Sequence, residues 1–194
     1  MLWDAVRTTV DDRQIPGQFI LTGSNAVDKS QIHHSGAGRI TRLRMLPMSL
    51  WESKESTGEV SLKELFNNPD YDIDGKMSKM SIEDLIFAAS RGGWPASLLA
   101  RTPKAQLLVA KNYVQTICLD DISGIDGKRR DAKLTSMILR AYARNVSTLV
   151  KKKSLIDDVI SSGEVSCHTD TFDDYVSALE KLFVIQNVSA WCPA

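Results

Sequence analysis

Gln18-Phe19-Ile20-Leu21-Thr22, followed by Gly23-Ser24-Asn25, is the stretch on which the fold turns. Three consecutive large apolar residues sit behind the Pro16-Gly17 break and ahead of a polar turn. That suits a short strand covered on both faces, as in a parallel sheet. Ahead of it, Leu2, Ala5, Val6 and Val10 lie near helical spacing. After it, a polar helix through Ile32-His33-His34 is closed by Ser35-Gly36-Ala37-Gly38, and residues 40–45 alternate as a second strand. A helix between two strands predicts an α/β layer over residues 1–50.

From Pro47 onward the pattern is helical. Ser61-Leu62-Lys63-Glu64 and Ser81-Ile82-Glu83-Asp84 are capping boxes, separated by an Asn-, Asp-, Pro- and Gly-rich loop over 67–75. Gly92-Gly93-Trp94-Pro95 stops the second of these helices, and Val109, Tyr113 and Ile117 mark one face of a longer one. Residues 51–123 therefore read as an all-helical unit. A linker at 123–127 opens a third unit, 124–194. In it Leu134, Met137, Ile138, Ala141 and Leu149 form one apolar stripe, and Phe172, Tyr175, Val176, Leu179 and Phe183 another. Between them Ser154-Leu155-Ile156-Asp157 caps a short helix. Three helices followed by the strand-like Phe183-Val184-Ile185 and Val188 predict a mainly α winged helix-turn-helix.

The chain has 194 residues, 24 basic against 24 acidic side chains, and 43% hydrophobic content, as in ordinary globular proteins. No apolar run approaches the roughly 20 residues of a membrane span, and Met1-Leu2-Trp3-Asp4 has no secretory pattern, so a cytoplasmic protein with no membrane partner is expected. Cys118, Cys167 and Cys192 form no C-x-x-C and are expected as reduced thiols. Zero net charge removes the basic surplus of an ordinary nucleic-acid binder.

No P-loop is written in the chain. The glycines of Gly75-Lys76 and Gly127-Lys128 follow Asp70 and Ile122 five residues earlier, and Met77 and Arg129 stand where a hydroxyl residue is needed. Thr116-Ile117-Cys118-Leu119-Asp120-Asp121 imitates a strand ending in magnesium ligands but continues the helical stripe from Val109 and Tyr113. There is no nucleophile elbow and no H-E-x-x-H, Cys167-His168 is a lone pair, and His33-His34 reads as a solvated helix end, so no metal site is expected. One constellation remains: Thr22, Ser24 and Asn25 at the carboxyl end of the first strand, and Arg39 just before the second. Ligands of open α/β sheets bind outside the carboxyl ends of strands, and arginine supplies a permanent planar donor. The same residues also read as a plain turn and a surface charge.

The phrases Gly17-Gln18-Phe19-Ile20-Leu21-Thr22-Gly23-Ser24, Ala37-Gly38-Arg39-Ile40, Leu46-Pro47-Met48-Ser49-Leu50 and Gly92-Gly93-Trp94-Pro95 come in the family order of predicted bacterial AAA+ ATPases. Ala141-Tyr142-Ala143-Arg144-Asn145, Thr171 with Tyr175, and Ala190-Trp191-Cys192-Pro193 continue that order. The chain thus resembles a C-terminal piece of such an ATP-binding protein, one whose cellular role is unknown and whose last region begins with a winged helix. The resemblance implies a partial AAA+ α/β core at 1–50, a helical lid at 51–123 and a winged-helix domain at 124–194. It implies that Thr22 or Ser24 acts as the sensor that positions the attacking water. It implies that Arg39 is an arginine finger, acting on the nucleotide of a neighbouring subunit. Asn25, Gly92 and Gly93 would then touch the nucleotide, with the two glycines opening the lid. ATP and Mg2+ serve the intact family member, whose P-loop and acidic strand precede the segment matched here. This chain is expected to be truncated, to hold neither cofactor and to be inactive alone.

A sheet without its central strands would expose Phe19, Ile20 and Leu21, which predicts a homo-oligomer or a partner chain covering them. The competing function is a winged-helix DNA-binding regulator using Lys128-Arg129-Arg130 and Lys151-Lys152-Lys153. Its recognition helix would carry Asp170, Asp173, Asp174 and Glu180 against Lys181, which disfavours DNA and favours a protein partner. A purely structural interaction module is the third reading.

Overall fold

The computed structural model describes residues 2–15, 17–23, 38–163 and 165–189. Among them every regular element is a helix, in the order α1 (Leu2–Arg13), α2 (Leu62–Asn67), α3 (Ile82–Arg91), α4 (Pro95–Leu99), α5 (Pro103–Thr116), a π-helical turn (Ile117–Asp121), α6 (Ile122–Gly124), α7 (Ala132–Arg144), α8 (Lys152–Gly163) and α9 (Thr169–Lys181). The chain divides into two compact units, one made of residues 1–43 with 116–194 and the other of residues 44–115.

The α/β expectation is overturned. Residues 18–22 and 40–45 form no strand, and Phe19, Ile20 and Leu21 are exposed, Ile20 at 91%. The reason is non-locality. A parallel strand is stable only when neighbours on both sides complete its ladder and helices cover its faces. Local apolarity favours burial but cannot create those neighbours. The intervening helix expected at 26–34, together with Ser24 and Asn25, lies outside the described residues.

The core of the first unit is helix on helix. Asp131 caps α7, its Oδ1 accepting the Leu134 N–H at 2.7 Å, and Leu134, Met137, Ile138 and Ala141 are buried at spacings of three and four. Leu155 and Val159 of α8 and Phe172, Tyr175, Ala178 and Leu179 of α9 pack into the same cluster. Each fully buried large side chain contributes about 1.5–3 kcal/mol. The π turn explains how Ile117 and Ile122 both enter this core. Five residues apart, they would diverge on an α-helix, and the wider turn brings them round to one side.

Three local details depart from expectation. Leu149 lies beyond α7 and is fully exposed. α8 starts at Lys152, so Ser154 sits inside the helix rather than capping it. The winged helix is corrected as well, because Phe183-Val184-Ile185 is not a wing strand. The Val184 N–H donates to the Leu179 carbonyl and the Phe183 N–H to the Glu180 carbonyl, both at 3.0 Å, with Phe183 at φ 58°. This is a Schellman ending of α9, in which Val184 folds back on the core. Phe183 and Val184 are spent on satisfying the last carbonyls of the helix.

In the second unit Ser61 caps α2 at the Glu64 N–H. Ser81 and Asp84 form a full capping box at α3, and Gly92 ends α3 at φ 71°. Pro95 occupies the first turn of α4. Among the described residues no helix is long and apolar enough to cross a membrane.

Candidate functional site

Thr22 is described and exposed, while Ser24 and Asn25 are not described. The Arg39 guanidinium donates to the Asp11 carboxylate on α1, with the arginine side chain 47% exposed. An ion pair this accessible is solvent-screened and contributes about 1 kcal/mol or less. Gly92 donates its N–H to the Ala88 carbonyl as the cap of α3. The Gly93 carbonyl accepts the Met48 N–H at 2.7 Å. A Cβ on Gly93 would stand 2.1 Å from the Met48 carbonyl oxygen, so this glycine is required for a close backbone crossing.

Arg39 is engaged by Asp11, Gly92 caps a helix, the Gly93 carbonyl is taken by Met48, and the sequence offers no lysine-bearing phosphate loop. Among the described residues no group of three or more His, Cys, Asp or Glu is placed to hold a metal ion. Burial pushes the Cys118 and Cys167 thiols up, away from the thiolate form.

Two other constellations emerge whose pairings the sequence does not give. In the first unit Arg130 is buried, with 2% side-chain exposure. Its Nη1 and Nη2 donate to both Asp126 oxygens at 2.8 Å, its Nε donates to Asp174 at 3.0 Å, and Nη1 also donates to the Ile122 carbonyl at 2.8 Å. The guanidinium lies 5.9 Å from the Tyr175 ring centre, and the Tyr175 hydroxyl accepts the Asp131 N–H at 2.7 Å. Lys128 completes the knot by donating to Asp174. The Arg130 bonds hold the Asp126 carboxyl far below the usual range, and Lys128, with Arg130, lowers that of Asp174. Lys152 pairs with Asp173 at 2.8 Å. Three of the basic residues considered for phosphate contact are thus engaged by the aspartates of α9. The Asp126–Arg130 pair is local at a spacing of four, whereas Asp174 meets Arg130 only through the fold.

In the second unit the Arg91 side chain is 3% exposed and its Nη2 donates to both oxygens of Glu55. Beside it lies an open surface depression of about 330 Å³, lined by Met48, Ala88 and the exposed Leu50 and Leu85 together with Ser49 and Ser53. Ser49 bonds Glu52 and Ser53 bonds Glu55, so these hydroxyls on the wall already have partners. Arg91 Nη1 is buried and has no hydrogen-bond partner among the described residues.

Comparison with known proteins gives two matches. Residues 82–194 match the family model described as Domain of unknown function (DUF8612), and residues 1–54 match the one described as AAA domain. No curated protein matches the chain, and no solved structure does.

Proposed function

This chain belongs to the family described as Domain of unknown function (DUF8612), whose model spans more than half of it, and from that premise we propose that it works as part of an AAA-type ATPase without turning over ATP by itself. The observation that carries this reading is the AAA-domain match over residues 1–54, which contains Thr22, Ser24, Asn25 and Arg39. Arg39 is the residue we assign to a nucleotide held by another chain. Its exposed pair with Asp11 is weak enough to exchange, and its charge is permanent. Thr22 or Ser24 serves as the polar sensor of the same match. The helical residues 116–189 dock a protein partner. Engagement of Lys128, Arg130 and Lys152 with the aspartates of α9 supports protein over DNA as that partner.

The test is equilibrium binding and turnover of ATP by the chain alone and by the chain joined behind a P-loop segment of an AAA domain. Alone, no magnesium-dependent turnover is expected. In the joined protein, Arg39→Ala should lower turnover by about a thousandfold or more. Magnesium-dependent turnover by the chain alone that disappears in Arg39→Ala overturns the reading. So does a joined protein whose turnover ignores that substitution.

A further inference from the structure

Two accessible helical faces of this chain match one another in charge, spacing and apolar content. On α9, Asp173 and Glu180 stand seven residues apart along a groove of about 390 Å³. Its floor is the buried Leu155 and Phe172, and its sides are the half-buried Tyr142 and Val176. On α5, Lys104 and Lys111 also stand seven apart, both exposed, with Leu107 and Leu108 between them at 38% and 51% exposure. We propose that the groove along α9 receives α5 of a second copy of this chain.

The occupant follows from the chemistry of the groove. Glu180 accepts from the neutral amide of Asn187 at 2.8 Å, and among the described residues no cation pairs with it. Asp173 pairs with Lys152, but the two side chains are 45% and 54% exposed, so water screens the pair and the carboxylate can be shared. Burial pushes the Tyr142 hydroxyl up, and the charges of Glu180 and Asp173 push it the same way against that of Lys152, so the groove is a place of negative potential. The α5 helix carries the opposite sign, with two lysines and no acidic residue. Seven residues span about 10 Å on either helix, so both charge pairs can form at once. An antiparallel approach sets Lys104 at Glu180 and Lys111 at Asp173, with the helix dipoles opposed. Leu107 and Leu108 then lie over Val176 and the Tyr142 ring, which gives the contact an apolar centre and a charged rim. This inference rests on the reading that residues 116–189 dock a protein. It makes no use of nucleotide, so its failure leaves the assignment of Arg39 standing.

Sedimentation velocity of the full chain across a concentration series measures the contact, without nucleotide or any other partner. Association should be present at about 0.05 M salt and weaker at about 0.5 M, where exposed charges are screened. Glu180→Lys and Lys104→Glu should each weaken it about tenfold or more, because each sets like charges face to face. Both variants should keep the fold, since a cation near the end of α9 and an anion in the first turn of α5 suit the helix dipoles, and circular dichroism checks this. Mixed in equal amounts, the two variants should associate again, because every α5 then meets a groove of opposite sign. The chain carrying both substitutions should do the same. A chain that stays monomeric up to about 1 mM at low salt overturns the proposal. Association that both single variants retain also overturns it, placing the contact elsewhere, for example at the exposed Phe19, Ile20 and Leu21. So does a failure of both the mixture and the double variant to recover.

Discussion

Asp126→Asn tests how much of the first unit rests on the arginine knot. The substitution keeps the shape and removes the charge that accepts two bonds from Arg130 at 2.8 Å. Bonds to charged groups contribute about 1.5–3 kcal/mol each. Asp126 is 25% exposed and regains water when unpaired, and Arg130 keeps Asp174 and the Ile122 carbonyl. The net loss should therefore be about 2 kcal/mol at pH 7. For a unit of this size that lowers the melting temperature by roughly 10 °C. Acid supplies the control. The Asp126 carboxyl is held far below its unfolded value of about 3.9, so the unfolded chain takes up the proton first. The stability it contributes is complete above that value and is lost as pH falls toward the folded one. Between pH 5 and pH 3 the natural chain should lose about 1 kcal/mol that Asp126→Asn never had, so the gap between the two proteins narrows. Urea unfolding followed by circular dichroism at pH 7, 5 and 3 measures it. A gap below about 0.5 kcal/mol at pH 7, or one that stays constant down to pH 3, refutes the reasoning.

Two glycines with equally short Cβ approaches should behave oppositely. At Gly93 the obstacle is the Met48 backbone carbonyl, so Gly93→Ala should destabilise residues 44–115 by about 2 kcal/mol or more, read from thermal loss of the near-ultraviolet signal of Trp94 and Tyr113, whose rings lie 4.2 Å apart. At Gly163 the obstacle is the flexible end of Met137, so Gly163→Ala should change stability by less than about 1 kcal/mol. Phe172→Ala removes a side chain that is 1% exposed and stacks on Tyr142, and should cost about 3–5 kcal/mol in the same urea titration.

Helix signals are local, and the chain states them openly. Ser81 and Asp84 form the box their spacing announces, and Leu134, Met137, Ile138 and Ala141 bury the stripe they write. Capping and periodicity act within four residues, so a single pass along the chain reads them. The functional residues were less legible. Arg39 was noticed, but its partner Asp11 stands 28 positions away. Nothing local to Arg91 points to Glu55, 36 positions earlier.

What the amino-acid order determined unaided is the buried stripes of α7 and α9 and the caps at Ser61 and Ser81. Only the tertiary structure decided that residues 19–22 stay exposed, that the end of α9 is a cap rather than a wing, and that Arg130 joins Asp126 to an aspartate 44 positions away. A helix completes its hydrogen bonds within one turn. A strand, a buried charge or a cavity needs partners from distant segments, and only the folded chain brings them together.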